Sequence, residues 1–102
     1  MQALHDDSIW KALADPTRRQ ILDALAGSPV TTGEIVDRFA PQLVRTAVMK
    51  HLDVLEDAGL VRVERVGRRR LNHFERTPLK EIAGWLNRRV ANHKTNLTRL
   101  KL

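Results

Sequence analysis

Four arginines crowd one short stretch of this 102-residue chain: Arg65, Arg68, Arg69 and Arg70, set around Gly67. Guanidinium groups this close repel one another, and packing a core does not call for them. A nearby anion relieves the repulsion, and phosphate suits best, because arginine grips it through two parallel N–H···O bonds. A second constellation lies upstream. Projected at about 100° per residue, the segment from Val44 to Ala58 gathers Val48, Leu52 and Leu55 on one side, with Ala47 and Ala58 at its margin. Thr46, Met49, Lys50 and Asp53 point the other way, and Arg45 stands at the flank. That outer face is neutral or basic in its first half and acidic in its second, where Asp53, Glu56 and Asp57 stand. Such a helix can bring its start to a polyphosphate and hold its end away. Each constellation alone also describes a solvated surface; their succession at this spacing points to double-stranded DNA.

Other chemistries find little support. There is no cysteine, hence no disulfide, thiolate nucleophile or cysteine metal site. Ser8 and Ser28 are the only serines, with no His and Asp arranged around either, and no phosphate-binding or glycine-rich loop occurs. An enzyme is therefore not expected. His5, His51, His73 and His93 show no repeated ligand spacing, so neither a metal nor a cofactor is expected. The net charge is +6, unevenly spread: residues 1–44 hold 4 basic and 6 acidic groups, residues 45–102 hold 14 and 6. A one-sided basic field attracts polyanions, nucleic acid first and anionic membrane second. The alternative is a module that binds RNA or a protein partner. With 4% aromatic residues, the chain has few rings on which to stack RNA bases, and a protein-only role leaves the arginine cluster unexplained.

The elements that position these residues can be read in order. Ser8 to Leu13 forms a short amphipathic helix. Asp15-Pro16 starts another, with Asp15 as cap, Ile21, Leu22 and Leu25 on its buried side, and a stop at Gly27. Thr31 and Glu34 have capping-box spacing, each expected to satisfy the other's free amide, before a short helix with Ile35, Val36 and Phe39 that ends at Pro41. The helix from near Val44 to Ala58 ends at Gly59, a left-handed stop. Val61 and Val63 then alternate with Arg62 and Glu64 as a strand, Gly67 turns, and Leu71 to Glu75 returns. Thr77-Pro78, a cap followed by proline, opens a long helix carrying Leu79, Ile82, Trp85, Leu86 and Val90, with a basic end that includes Arg88, Arg89, Lys94, Arg99 and Lys101. The expected fold is mainly α with a small β-hairpin, α-α-α-α-β-β-α, in a single domain over residues 1–102. At this size, pairing with a second copy is an attractive way to bury more surface. Met1 to Ala14 lacks the basic start and apolar run of a signal peptide, and no stretch is long enough to span a bilayer, so a cytoplasmic protein is expected.

The segments ALADPTRRQILDAL (12–25), TAVMKHLDVLEDAGLV (46–61) and VGRRRLNHF (66–74) resemble, in order and separation, the ArsR/SmtB family of bacterial winged helix-turn-helix repressors. The similarity covers roughly residues 9–90. It implies a homodimer formed by the terminal helices, a repressor of its own or a linked operon, and operator half-sites about one helical turn apart. Carried over by position, it assigns DNA binding to Arg45, Thr46, Met49 and Lys50 on the recognition helix and to Arg65, Arg68, Arg69 and Arg70 on the wing. It gives His51 either a phosphate contact or a packed structural place. It sets Trp10, Ile82, Trp85 and Leu86 at the dimer interface, where the tryptophans either pack or line a pocket for a small-molecule effector. Two positions depart from the pattern. Val44 stands where serine usually caps the recognition helix, so Thr46 or water is expected to serve and the helix to begin later. Met49 replaces a frequent serine and suits apolar contact with a thymine methyl. The family's metal sites are also missing: the thiolate pair is absent, and residues 78–102 offer only Glu81 and His93 as ligands.

Overall fold

The structure, a computed structural model, describes residues 7–91. His5, His93 and the basic residues Lys94, Arg99 and Lys101 lie outside that range.

Helix α1 (Asp7–Leu13) turns Ile9 and Ala12 inward. Helix α2 (Pro16–Leu25) starts as its sequence demands. Asp15 Oδ1 accepts the amides of Thr17 at 2.7 Å and Arg18 at 3.1 Å, and Pro16 fills the first turn, where an N–H would go unused. The helix stops at Leu25, short of Gly27, which is not in the left-handed region.

Strand β1 (Val30–Thr31) has no counterpart in the sequence reading. Its two residues show no alternation, and it forms only because β3 (Arg69–Phe74) lies alongside, with Val30 opposite Asn72 and Thr31 opposite Leu71. The sheet is antiparallel in the order β1-β3-β2, with β2 spanning Val61–Val66. Thr31 also caps helix α3 (Thr32–Phe39): its hydroxyl accepts the Glu34 amide at 3.2 Å and donates to the Glu34 carboxylate at 2.9 Å. The reciprocal bond thus comes from the hydroxyl, not from the Thr31 amide that a capping box would use.

Helix α4 (Arg45–Asp57) begins directly after Val44, not later as expected. No side chain caps it; the Val44 carbonyl takes the amides of Ala47 at 3.0 Å and Val48 at 3.1 Å. Its exit follows the glycine rule. Gly59 adopts φ +75°, and the Leu60 amide reaches back to the Leu55 carbonyl at 3.0 Å. Helix α5 (Thr77–Val90) corrects a further expectation. Arg76, not Thr77, is its N-cap, with no side-chain cap bond, because Arg76 is drawn over the Phe74 ring and onto the Ala26 carbonyl.

The core sits around α4, which packs against α1, α2, α3 and β2. Ile9, Ile21, Leu25, Ile35, Val48, Leu55 and Leu60 are buried there, each worth roughly 1.5–3 kcal/mol of apolar transfer. The inner stripe of α4 is the expected one: Val48, Leu52 and Leu55. Among the described residues no helix is long and apolar enough to cross a membrane.

Candidate nucleic-acid interface

The inner stripe of α4 fixes what the helix offers to solvent. Arg45, Thr46 and Lys50 are exposed, Met49 and His51 half-exposed, and Asp53, Glu56 and Asp57 are exposed toward the far end. The charge gradient therefore lies on open surface.

His51 is held from one side. Its Nδ1 lies 3.2 Å from Arg18 Nη1. Arginine only donates, so Nδ1 accepts, and the proton of the neutral ring sits on Nε2. The same guanidinium donates to the carbonyls of Ala12 at 3.0 Å and Lys11 at 2.8 Å, and Arg19 donates to that of Leu13 at 2.7 Å. These are C-terminal carbonyls of α1; among the described residues no backbone amide reaches those of Ala12 and Leu13, whereas that of Lys11 also takes the Ala14 amide at 3.3 Å. Arg18 thus straps the end of α1 to the middle of α4. Sequence reasoning missed it, and only the adjacent Arg18-Arg19 after a helix end offered a signal. Asp15 accepts the Arg18 amide, and this bond holds its carboxyl below its ordinary value; the Thr17 amide and the charge of Arg18 act in the same direction, against desolvation.

The β2–β3 hairpin is the wing. Its turn holds two residues, Gly67 at φ +63° and Arg68, so β3 starts at Arg69, two residues before the expected Leu71. The register sorts the arginines by face, since side chains alternate along a strand and directly paired residues share a side. Val61, Val63 and Arg65 share the core-side face with Phe74, Asn72 and Arg70. Val66 and Arg69 pair on the opposite face. There Arg62 binds Glu75 at 2.8 Å, and His73 contacts Glu64 at 2.9 Å. Beyond the core, Arg65 and Arg70 stand directly opposite each other, and among the described residues neither forms a salt bridge. Arg70 Nε is buried with no hydrogen-bond partner there. Like charges in direct opposition destabilise a ribbon, by roughly 0.2–1 kcal/mol, until an anion joins them.

The terminal helices leave apolar surface bare. Trp10 on α1 and Leu86 on α5 are 41% and 38% exposed. Trp85 is half-buried with the Arg89 guanidinium over its ring at 4.6 Å. Ile82 differs from the other three: at 6% exposed it packs into the protomer's own core and has little surface to give a partner. A cleft of about 220 Å³ lies between the end of α2 and β3, lined by Ser28, His73, Phe74 and Arg76 among others, and neither tryptophan lines it.

A helix packed beneath an exposed reading helix, followed by an antiparallel wing, is the arrangement found in known relatives. Residues 13–64 match a family model described as a helix-turn-helix domain. The chain is 43% identical over 86 residues to the uncharacterized HTH-type transcriptional regulator YuzN of Bacillus subtilis (strain 168), covering 78% of this chain and 94% of that protein. It is 31% identical over 80 residues to the transcriptional repressor SdpR of the same organism, covering 78% and 87%. Among solved structures, the ArsR family transcriptional regulator RHA00566 superposes with a TM-score of 0.78 at 33% identity, over 88% of this chain and 97% of that one. An ArsR-like transcriptional regulator from Rhodococcus sp. RHA1 gives 0.77 at 31% identity, over 85% and 78%. Fold and relatives together define the class: a DNA-binding transcriptional regulator of winged helix-turn-helix form. The chain belongs to the ArsR family of these regulators.

Proposed function

We propose that this regulator represses transcription as a homodimer seated on an operator, each protomer placing the start of α4 in a major groove and its wing on the flanking backbone. The observation that carries the reading is the direct opposition of Arg65 and Arg70, without a counter-charge among the described residues, at the end of a ribbon that Arg68 and Arg69 complete. Arg45, Thr46 and Lys50 supply donors for base edges and phosphates, Met49 an apolar surface for a thymine methyl, and His51 Nε2–H a further donor. Trp10 on α1, with Trp85 and Leu86 on α5, supplies the apolar seam between protomers. One domain both binds DNA and dimerises. The protein acts in the cytoplasm, without catalysis and without sensing metal through the family's known sites.

Binding to the duplex upstream of its own gene, measured by fluorescence anisotropy against a scrambled duplex, tests this. Thr46→Ala and Lys50→Ala narrow the preference between the two duplexes by roughly tenfold, since a good base contact discriminates by about 1–3 kcal/mol. Equal, weak binding to both duplexes by the unaltered protein refutes sequence-specific regulation.

A further inference from the structure

Asn72 is an anomaly in this fold. It lies at the centre of β3, fully buried, with its Oδ1 lacking any partner among the described residues. An orphaned acceptor away from water is a standing cost, and a leucine of similar shape would avoid it. The other half of the amide is engaged. Asn72 Nδ2 donates to the Val30 carbonyl and to Thr32 Oγ1, both at 3.1 Å. These acceptors flank Thr31, whose hydroxyl caps α3. One side chain therefore ties the wing to the segment that starts the helix-turn-helix.

The tie lies where the wing needs it. The ladder between β1 and β3 is two pairs long, Val30–Asn72 and Thr31–Leu71, too short to set an angle firmly by itself. On the same face of the hairpin, Arg70 lies two residues toward the tip, about 7 Å along the strand, with Arg65 across from it. A slip of one residue would carry Asn72 to the outer face and break both bonds. We propose that Asn72 is a positioning residue for DNA binding: its amide clamps the wing to the α3 cap and so presents Arg65 and Arg70 at a fixed attitude to the helix-turn-helix. The proposal rests on the wing's contact with DNA.

Four proteins test it: Thr32→Val, the double variant Asn72→Leu/Thr32→Val, and each of these combined with Arg65→Ala/Arg70→Ala, whose own affinity is the reference for the last two. The Asn72→Leu/Thr32→Val protein removes the amide and the Thr32 hydroxyl together and costs only the bond to the Val30 carbonyl, so its melting temperature falls by no more than the worth of about one hydrogen bond and it stays folded in the assay. Its affinity for the upstream duplex falls about tenfold, and that of Thr32→Val about threefold, because a loosened wing is ordered at binding. In the Arg65→Ala/Arg70→Ala background both losses vanish. Losses that persist undiminished there, or unaltered affinity in the Asn72→Leu/Thr32→Val protein, overturn the proposal. Amide exchange without DNA separates this result from failure of the DNA-binding reading. Residues 69–73 exchange at least tenfold faster in the Asn72→Leu/Thr32→Val protein while α4 is unchanged; unaltered exchange at 69–73 overturns the clamp even if no duplex binds.

Discussion

Replacing Arg65 and Arg70 together by alanine separates a phosphate grip from a merely basic surface. The two side chains face each other on one side of the wing, and among the described residues no carboxylate pairs with either. If each neutralises one phosphate, their loss lowers the slope of log K against log salt by about 1.8 per protomer, or about 3.6 for a symmetric dimer. Over a fourfold rise in salt, from about 50 to about 200 mM, the unaltered protein then loses about 150-fold more affinity than the variant. Anisotropy with a labelled upstream duplex reads this directly. Arg62→Ala is the control, because Arg62 is already bound to Glu75 at 2.8 Å, and its slope stays at the unaltered value. Thermal melting adds an opposite sign: removing the like-charge pair leaves stability unchanged or raises it by up to about 1 kcal/mol. An unchanged slope, or a control that shifts as much as the variant, refutes the reasoning.

Arg18→Met removes the strap between α1 and α4 and leaves the Ala12 carbonyl without its donor, while Lys11 keeps the Ala14 amide; unfolding stability in urea falls by about 1–3 kcal/mol. The Asp15 carboxyl titrates below its ordinary value of 3.8 in the folded protein. Its contribution is therefore fully present above the unfolded value and is lost as pH falls through the lower folded one; Asp15→Asn abolishes that part of the acid limb in a stability–pH profile. Trp10→Glu/Leu86→Glu places charge on two exposed apolar side chains of α1 and α5. If these form the proposed dimer seam, the variant sediments as a monomer with far-ultraviolet circular dichroism unchanged, and a dimer that persists refutes that seam.

Wing and recognition helix divide the work in a way their chemistry explains. Guanidinium groups on a ribbon contact backbone oxygens that every sequence shares, so they set affinity and its salt dependence. In the proposed complex Thr46, Met49 and Lys50 on α4 meet groups that differ from base to base, so there they set preference. The acidic residues farther along α4, Asp53, Glu56 and Asp57, are exposed, and in the proposed complex they hold that end away from phosphate.

What the sequence alone determined is what neighbours in the chain can settle. Asp15 and Thr31 cap helices because their side chains reach amides two or three residues on. Gly59 and Gly67 turn the chain because the left-handed region costs glycine nothing. The stripe of Val48, Leu52 and Leu55 follows from helical spacing, and with it the outward face of Arg45, Thr46 and Lys50. Only the tertiary structure decided the rest. Strand β1 exists because β3, some 40 residues on, lies beside it, and the same meeting buried Asn72 and gave its amide two acceptors. Arg18 met His51, Arg76 displaced Thr77 from the cap of α5, and Ile82 turned into the core. Each of these depends on which distant segment fills the space nearby. Local spacing fixes the direction in which a side chain leaves its own element, but only the assembled fold fixes what it finds there.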